Sequence, residues 1–396
     1  MMKRRYMTII LAAILQSCVY PYTPDLPEDA SDRIVIEGDI SVGENCMFAA
    51  RKMLPLTHVG NTVKTFVDKA VFTVEHDSGL KFSATQLADD IETHIDLTSA
   101  PVNGRYRLIA TITDSSGNED YATPWMELTP APVIGDLEEK VFDSNKDRVA
   151  DRVSLSISLS AENSSGCYSW DYDELYYFRS LLQAPEQEYV DGGIIIDHSE
   201  DITSWWPYTY CWAQTKSKVT GIAIAKALEG WNLYSHEFLE LPLTAPQLDM
   251  RQYYIRFKAK SIPEDKYRFL DALNKGSDDS RNLLSPLPGE VFGNIRSVSD
   301  SSKYALGYVS ANIVAKKILR VGSSGHRAVV PASNYYYYAY YSPDMTAQET
   351  NMKAYSLGYY PFKIIDRKQW WVPLSCVDCR ASGGTLERPD GWIIDE

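Results

Sequence analysis

Cys18 is the residue of this 396-residue sequence whose surroundings point most directly to chemistry. It ends Leu15-Gln16-Ser17-Cys18, which resembles a bacterial lipobox, where the cysteine thiol receives a diacylglyceryl group and the chain is cut before it. A basic stretch at residues 3–5 and an apolar run from Met7 to Leu15 precede it, and this run is too short to cross a bilayer. We therefore predict a signal peptide at residues 1–17 and a lipid anchor at Cys18. The alternative is a plain secretion signal in which Cys18 is incidental.

A Cys-x-x-Cys pair near the C-terminus, Cys376 and Cys379, could supply half of a zinc site or a redox centre. Zinc would need a second pair or spaced histidines, and a redox centre would need a helix after the motif. The sequence offers neither, and an exported chain is exposed to oxidising conditions. We therefore expect a structural disulfide between Cys211 and either Cys376 or Cys379, with Cys46 as a free thiol.

Oxygen-bearing side chains alternate in one stretch as they do in a calcium loop, at Asp143, Asn145, Asp147 and Asp151. Arg148 stands where such a loop needs its turn glycine, and Ser154 stands where it needs a bidentate glutamate. The alternative is a solvated turn between domains. We predict no metal and no cofactor, and keep this stretch as a weak calcium candidate.

Two aromatic clusters could bind a ligand or a partner protein. Trp205 and Trp206 begin the first cluster, which extends to Trp212, and the second covers Tyr335 to Tyr341. If the second is a strand, one of its faces presents a row of three rings, Tyr336, Tyr338 and Tyr340. Tyrosine rings combine apolar faces with hydroxyls and suit the stacking of sugars or peptides. The alternative is a strand that is covered on both faces.

Motifs of common enzymes are missing from the sequence. There is no Gly-x-Ser-x-Gly, no P-loop and no dinucleotide-binding glycine pattern, and acidic pairs are too numerous for a glycosidase dyad to stand out. The net charge of −14 becomes −17 once the three basic residues of the signal peptide are removed. Such a chain repels nucleic acid and anionic headgroups, and no basic stripe along the sequence opposes this.

The elements that must hold these residues are mainly β. Strands are predicted at 34–40 and 70–74, and Arg105 to Thr113 alternates between polar and apolar residues. Short strands with turns between them predict an immunoglobulin-like β-sandwich at 31–130, after a proline-rich and acidic tether at 18–30.

A larger β-rich domain with one or two short helices is predicted at 131–396. Residues 153–160 and 253–260 alternate as strands with one buried face. Ser261 and Glu264 predict a capping box for a helix that stops by residues 274–276. A loop is expected from there to residue 293.

Several short fragments, in order, are similar to one family. They are Cys18, Ile36-Glu37-Gly38-Asp39-Ile40, Tyr106-Arg107-Leu108 with Tyr121, Cys211-Trp212, Ser261-Ile262-Pro263 with Tyr267, Gly293-Asn294-Ile295, Leu306-Gly307-Tyr308, and Cys376-Val377-Asp378-Cys379 with Gly383-Gly384-Thr385 and Pro389. Together they resemble the secreted lipoproteins grouped as domain of unknown function 4249. The resemblance implies a Gram-negative outer-membrane lipoprotein, often encoded beside a TonB-dependent transporter of the starch-utilisation type. It implies no established activity and no catalytic residue.

Three hypotheses of function follow, in order of preference. The first is a non-catalytic outer-membrane lipoprotein that helps a TonB-dependent transporter to capture or take up a nutrient, with a glycan or peptide as ligand. The second is an adhesin-like lipoprotein that presents a protein-binding surface. The third is a secreted hydrolase on an unfamiliar β-scaffold. The partners expected are the outer-membrane lipid and the transporter, and nucleic acid is not expected.

Overall fold

The structure of this protein is a computed structural model, and it describes residues 33–53, 67–114, 117–162, 165–182, 187–197, 208–217, 220–228, 231–279, 293–323, 345–365 and 368–389. The chain is mainly β, as the sequence predicts. The strands of the N-terminal part are β1 (Ile34–Gly38), β2 (Ile40–Val42), β3 (Asn45–Lys52), β4 (Lys69–His76), β5 (Lys81–Leu87), β6 (Thr93–Asp96), β7 (Arg105–Asp114), β8 (Gly117–Ala122) and β9 (Met126–Glu127).

The remaining strands belong to the longer second part of the chain, together with two α-helices, α1 (Glu264–Asp279) and α2 (Ala347–Ser356). These strands are β10 (Val133–Phe142), β11 (Arg152–Glu162), β12 (Cys167–Arg179), β13 (Gln187–Val190), β14 (Ile194–Asp197), β15 (Tyr210–Lys216), β16 (Gly221–Ile224), β17 (Lys226–Leu228), β18 (Trp231–Pro242), β19 (Tyr253–Ile262), β20 (Ile295–Ser297), β21 (Tyr304–Ala305), β22 (Ala311–Ile313), β23 (Ala315–Arg320), β24 (Tyr359–Ile365) and β25 (Lys368–Pro373).

The N-terminal unit is an immunoglobulin-like β-sandwich. One sheet has the order β1-β3-β6, and the other has the order β5-β4-β7-β8-β20-β21 with β9 beside β7. The alternation predicted for β7 is confirmed, since Tyr106, Leu108, Ala110 and Ile112 are all buried in the core. The hydroxyl of Tyr106 also donates a hydrogen bond back to the carbonyl of Pro101, which resembles the tyrosine corner of immunoglobulin-like domains.

A segment from the last third of the chain completes this first sandwich. Strands β20 and β21 extend its larger sheet, and β22 pairs in parallel with β2. Ile295, Ala305 and Val309 lie in the same core as Tyr106. The first sandwich therefore takes in residues that the sequence-based division at residue 130 assigns to the second domain.

A second sandwich holds the other large core. Its sheets have the orders β10-β11-β18-β17 and β15-β12-β19-β23, and β16 also pairs with β12. The alternation in β11 buries Leu155 and Ile157, and the alternation in β19 buries Ile255 and Phe257 between the sheets. Both strands match their sequence-based prediction.

The helices differ in part from the sequence-based expectation. Helix α1 runs to Asp279, past the predicted stop, and Ser261 lies in β19 rather than at a helix cap. Helix α2 was not located by the sequence pattern, although Thr346 and Glu349 form a capping box at its start. The ring of Tyr355 in α2 stacks on Tyr189 of β13 with centroids 3.8 Å apart.

Neither helix in the described ranges is both long enough and apolar enough to cross a bilayer.

Candidate functional site

An aromatic surface covers one end of the outer face of the sheet β15-β12-β19-β23. Successive side chains of a strand point to opposite faces, so Cys211 and Ala213 enter the core while their neighbours point away from it. Trp212 lies opposite Tyr177 in the pairing of β15 with β12. We call the group formed by Tyr177, Tyr210, Trp212 and Tyr254 the aromatic face.

The rings of the aromatic face pack side by side and differ in their exposure to solvent. The rings of Tyr177 and Tyr210 are nearly parallel, at 13°, with centroids 6.0 Å apart, and the Tyr177 and Trp212 centroids are 4.8 Å apart. Tyr210 is 39% exposed, whereas Tyr254 is buried and packs with Leu175 and Trp212 in a small apolar cluster of its own. Burial raises the pKa of Tyr177, so its hydroxyl stays protonated at neutral pH and can donate a hydrogen bond.

A disulfide and a short pairing fix the C-terminal segment against the aromatic face. The structure joins Cys211 to Cys379, which is one of the two partners expected from the sequence. Just beyond it, the N–H of Trp212 donates to the carbonyl of Thr385 at 2.8 Å, and the N–H of Thr385 donates back at 2.7 Å. This bridge pairs the edge of β15 at Trp212, one residue from the disulfide.

The other cysteines among the described residues are thiols. Cys46, Cys167 and Cys376 are buried and unpaired among the described residues, so the free thiol expected at Cys46 is accompanied by two more. Burial raises the pKa of Cys46 to about 11 and also raises the pKa of Cys376. These thiols are therefore protonated and weakly reactive at neutral pH.

Two arginines of the C-terminal segment border the aromatic rings. The guanidinium of Arg388 lies 5.8 Å from the centre of the Trp212 ring, and that of Arg380 lies 3.3 Å from the Tyr208 ring. The buried carboxylate of Asp378 accepts hydrogen bonds from the Arg380 side chain, the shortest at 2.7 Å. The pKa of Arg380 is raised, first by that hydrogen bond, so its positive charge is permanent. The rings form a surface that can stack on a flat ligand, and the charge of Arg380 is balanced by Asp378.

The comparisons with known proteins place the chain in a family. Residues 19–318 match the sequence profile of the domain of unknown function DUF4249. This chain belongs to the DUF4249 family. No curated protein matches it. Among solved structures, it is similar to the FN1–FN3 domains of chicken CNTN1, with 10% identity over 59% of this chain and a TM-score of 0.19. The match covers 63% of the CNTN1 chain, less than two thirds of its length.

Two of the fragments that resemble DUF4249, those with Asp39 and Tyr308, meet at the junction between the two sandwiches. Lys266 of α1 donates a hydrogen bond to the carboxylate of Asp39, and its Nζ also lies 3.1 Å from the carbonyl of Tyr308. The same carboxylate accepts hydrogen bonds from the N–H and the hydroxyl of Ser310, both at 2.9 Å. Asp39 therefore links three separate parts of the DUF4249 chain.

Close contacts inside the first sandwich involve the family fragments at Gly307 and Asn294. A side chain at Gly307 would place its Cβ 2.0 Å from the carbonyl oxygen of Ile36, and the φ of Gly307 is +123°. The amide of Asn294 bonds both the N–H and the carbonyl of Val309, at 3.0 and 2.7 Å. In this DUF4249 protein, these contacts hold residues 294–309 against the rest of the first sandwich.

The weak calcium candidate does not form a metal centre in the described part of the chain. Its carboxylates accept hydrogen bonds from their own loop, as from the N–H of Ser144 to Asp151 at 2.7 Å and from the N–H of Arg148 to Asp143 at 2.6 Å. Nowhere in the described ranges do three or more His, Cys, Asp or Glu side chains gather as a metal site would need. The loop is therefore a turn in which backbone N–H groups donate to carboxylates of the same loop.

Some predicted site residues lie outside the described residues: Cys18, Trp205, Trp206, Tyr336, Tyr338 and Tyr340. The structure instead places Tyr210 and Trp212, from the end of the first predicted cluster, beside Tyr177. Tyr177 was missed because the sequence analysis did not assign β12. The available signal was the run of strand-favouring residues Leu175, Tyr176, Tyr177 and Phe178.

Proposed function

We propose that this DUF4249 protein is a non-catalytic lipoprotein of the outer membrane, anchored through Cys18, that captures a nutrient ligand for a TonB-dependent transporter. The observation that carries the proposal is the aromatic face, with Tyr177 and Tyr210 stacked at 6.0 Å on the outside of a sheet. The ligand class is a glycan or a peptide, because both offer flat apolar surfaces next to polar groups. The lipobox and the family resemblance support the location.

Rigidity of the aromatic face supports ligand capture. A side chain that is fixed before binding loses less conformational entropy when the ligand arrives. The Cys211–Cys379 disulfide and the two hydrogen bonds between Trp212 and Thr385 hold this edge of the sheet in place. Tyr210 remains exposed on that fixed support, and exposed aromatic groups that persist on a surface often mark contact sites.

The proposal gives no catalytic role to the buried carboxyl group of Glu174. This side chain points into the core of the second sandwich, where it accepts a hydrogen bond of 2.6 Å from the hydroxyl of Tyr253. Burial raises the pKa of Glu174, but only 6% of the residue is exposed to solvent. A group enclosed in this way supports a structural role rather than the hydrolase hypothesis.

Binding to the aromatic face is tested with Tyr177→Ser and Tyr210→Ser in the mature chain, against panels of oligosaccharides and peptides. Each change is expected to weaken binding of the selected ligand tenfold or more, on the order of 1.4 kcal/mol. Trp125→Ser is the matched control, since Trp125 is 38% exposed and stacks under Arg107 at 4.7 Å in the other sandwich. Full binding by both tyrosine variants would contradict the proposal.

The transporter partnership is tested by purifying the native complex from detergent-solubilised membranes. We expect a TonB-dependent transporter to co-purify with the wild-type chain. Recovery of other surface proteins in its place would favour the adhesin-like hypothesis.

A further inference from the structure

Basic side chains occupy the other end of the same outer face. They come from three strands of the sheet β15-β12-β19-β23, and they point away from the core by the same alternation that exposes the aromatic face. We call this group the basic face, and its members are Lys216, Arg256, Lys258, Lys316 and Arg320. Arg320 lies directly opposite Tyr254 in the pairing of β23 with β19, so the basic face adjoins the aromatic face.

Only part of this positive charge is neutralised within the protein. Arg256 donates to Asp173 at 2.9 Å, and Lys316 pairs with Glu44 of the first sandwich. In the described part of the chain, no carboxylate lies within ion-pair distance of the other three cations, Lys216, Lys258 and Arg320. These three therefore have charge to offer to a ligand.

Two lysines face each other across the strands of the basic face. Lys258 of β19 lies directly opposite Lys316 of β23, and like charges in that position destabilise a sheet. Asp171 of β12 lies opposite Lys258 on its other side and is the acidic residue nearest in register. Lys316 is already paired with Glu44, so Lys258 carries the positive charge that remains open at this position.

The charge of the basic face is opposite in sign to the net charge of the whole chain. The sequence has a net charge of −14, so its long-range field repels anions. At physiological salt the screening length is about 8 Å, so a ligand on the face responds mainly to the cations that it touches. The sequence alone shows no basic stripe because these residues come from strands as far apart in the chain as Lys216 and Arg320.

We propose that the outer face of this sheet binds an acidic glycan, one that carries uronic acid carboxylates or sulfates. The inference rests on the proposed capture function and names its ligand class. The rings of Tyr177, Tyr210 and Trp212 stack on the apolar faces of sugar rings, while Lys216, Lys258 and Arg320 bind the acidic groups. Tyr210 and Lys258 pair with β12 at Arg179 and Asp171, and eight residues of strand span about 26 Å. The ligand is therefore a chain of several sugars.

The test measures binding of the mature lipidated chain in detergent to three probes, hexagalacturonate, a heparin hexasaccharide and neutral maltohexaose. The main variant carries Lys216→Glu, Lys258→Glu and Arg320→Glu, and a second carries Gln at the same positions in case charge reversal disturbs folding. The matched control carries Lys69→Glu, Lys140→Glu and Lys353→Glu, exposed lysines outside this face that give the same change of net charge.

We expect at least one acidic hexasaccharide to bind more tightly than maltohexaose, and its Kd to rise tenfold or more in the Glu variant and severalfold in the Gln variant. Affinity should fall as salt rises, and the control should bind as the wild type does. An equal loss in the control, or equally tight binding of poly-glutamate or of a short DNA duplex, would overturn the inference by showing general attraction of anions.

Different experimental results would overturn the inference and the proposed function. Binding of maltohexaose that depends on Tyr210 but not on the three cations would overturn the acidic class and leave the capture function standing. Absence of binding to any glycan or peptide probe would overturn both.

Discussion

The side chain of Lys266 donates a hydrogen bond to Asp39 across the junction between the two sandwiches. Lys266 is buried, and Asp39 keeps 18% of its side-chain exposure. Lys260 adds a second ammonium 3.5 Å from the same carboxylate, and Ser310 adds two hydrogen bonds. The attraction between such groups is offset by the free energy needed to remove them from water. Removing one partner alone is therefore expected to destabilise the fold more than removing both.

Lys266→Met is expected to lower the free energy of unfolding by about 3 kcal/mol, because it leaves the Asp39 charge without its main partner. Adding Asp39→Asn to that variant should restore most of the loss, since no uncompensated charge remains. Urea unfolding measures both. Lys275→Met is the control on the same helix, because its exposed pair with Asp271 should leave the midpoint unchanged. An equal loss in both lysine variants would contradict the prediction.

The same carboxylate predicts a pH dependence. Burial alone would raise the pKa of Asp39, but the ammonium groups of Lys266 and Lys260 and the bonds from Ser310 lower it overall. A lowered folded pKa gives stability that is present above the unfolded value of about 3.9 and is lost as the pH falls through the folded value. The wild type should therefore lose stability below about pH 4 more steeply than Asp39→Asn, as followed by circular dichroism. Parallel acid curves would contradict the prediction.

Glu174 predicts the opposite behaviour. Burial raises the pKa of Glu174, so its contribution to stability is fully present below the unfolded value of about 4.3 and falls as the pH rises toward the folded value. Gln does not titrate and can still accept the hydrogen bond from Tyr253. Glu174→Gln should therefore match the wild type near pH 4 and become more stable than it at pH 8, in thermal unfolding. A variant that is less stable at pH 8 would mean that the carboxylate has a partner that favours its charge.

Non-reducing peptide mapping should show Cys211 joined to Cys379 and leave Cys376 as a thiol. The disulfide closes a loop of 168 residues, and loop-closure entropy gives it roughly 4–5 kcal/mol. Cys379→Ser should therefore lower the unfolding midpoint strongly, whereas Cys376→Ala should cost much less. Because both residues lie in the same buried segment, a larger loss for Cys376→Ala would show that packing, not the disulfide, holds the C-terminus.

Cys18→Ala should abolish lipid labelling and move the protein from the membrane to a soluble fraction. The physical reason is that the acyl chains on this residue are the predicted anchor. Fractionation after a high-salt wash measures the change, with Cys46→Ala as a control that keeps the anchor. A Cys18→Ala protein that stays with the membrane would mean that another contact holds it.

The sequence predicts those features that one strand can encode by itself. The alternation of Tyr106 and Leu108 identified a buried face of the first sandwich, and the structure confirms it. The position of Tyr177 beside Trp212 could not be predicted, because it depends on the pairing of β12 with β15. A capping pattern can also mislead, as at Ser261, where tertiary pairing extended β19 over the expected helix start.

The contacts of Asp39 could not be predicted from positions in the sequence. Asp39, Lys266 and Ser310 are far apart in the chain, yet one carboxylate joins them. Distance along the sequence gives no measure of such contacts. The choice of Cys379 over Cys376 has the same origin, because the N–H of Cys379 bonds to the carbonyl of Tyr208 and brings it beside Cys211.

The contribution of β20, β21 and β22 to the first sandwich has a consequence for biogenesis. Strand β8 is synthesised roughly 170 residues before β20, the strand that pairs with its edge. At a synthesis rate of about 5–20 residues per second, that edge stays unpaired for roughly 10–35 s. During that interval, unpaired N–H and C=O groups are open to wrong partners. A factor that holds the nascent chain would shield this edge until residue 313 is available.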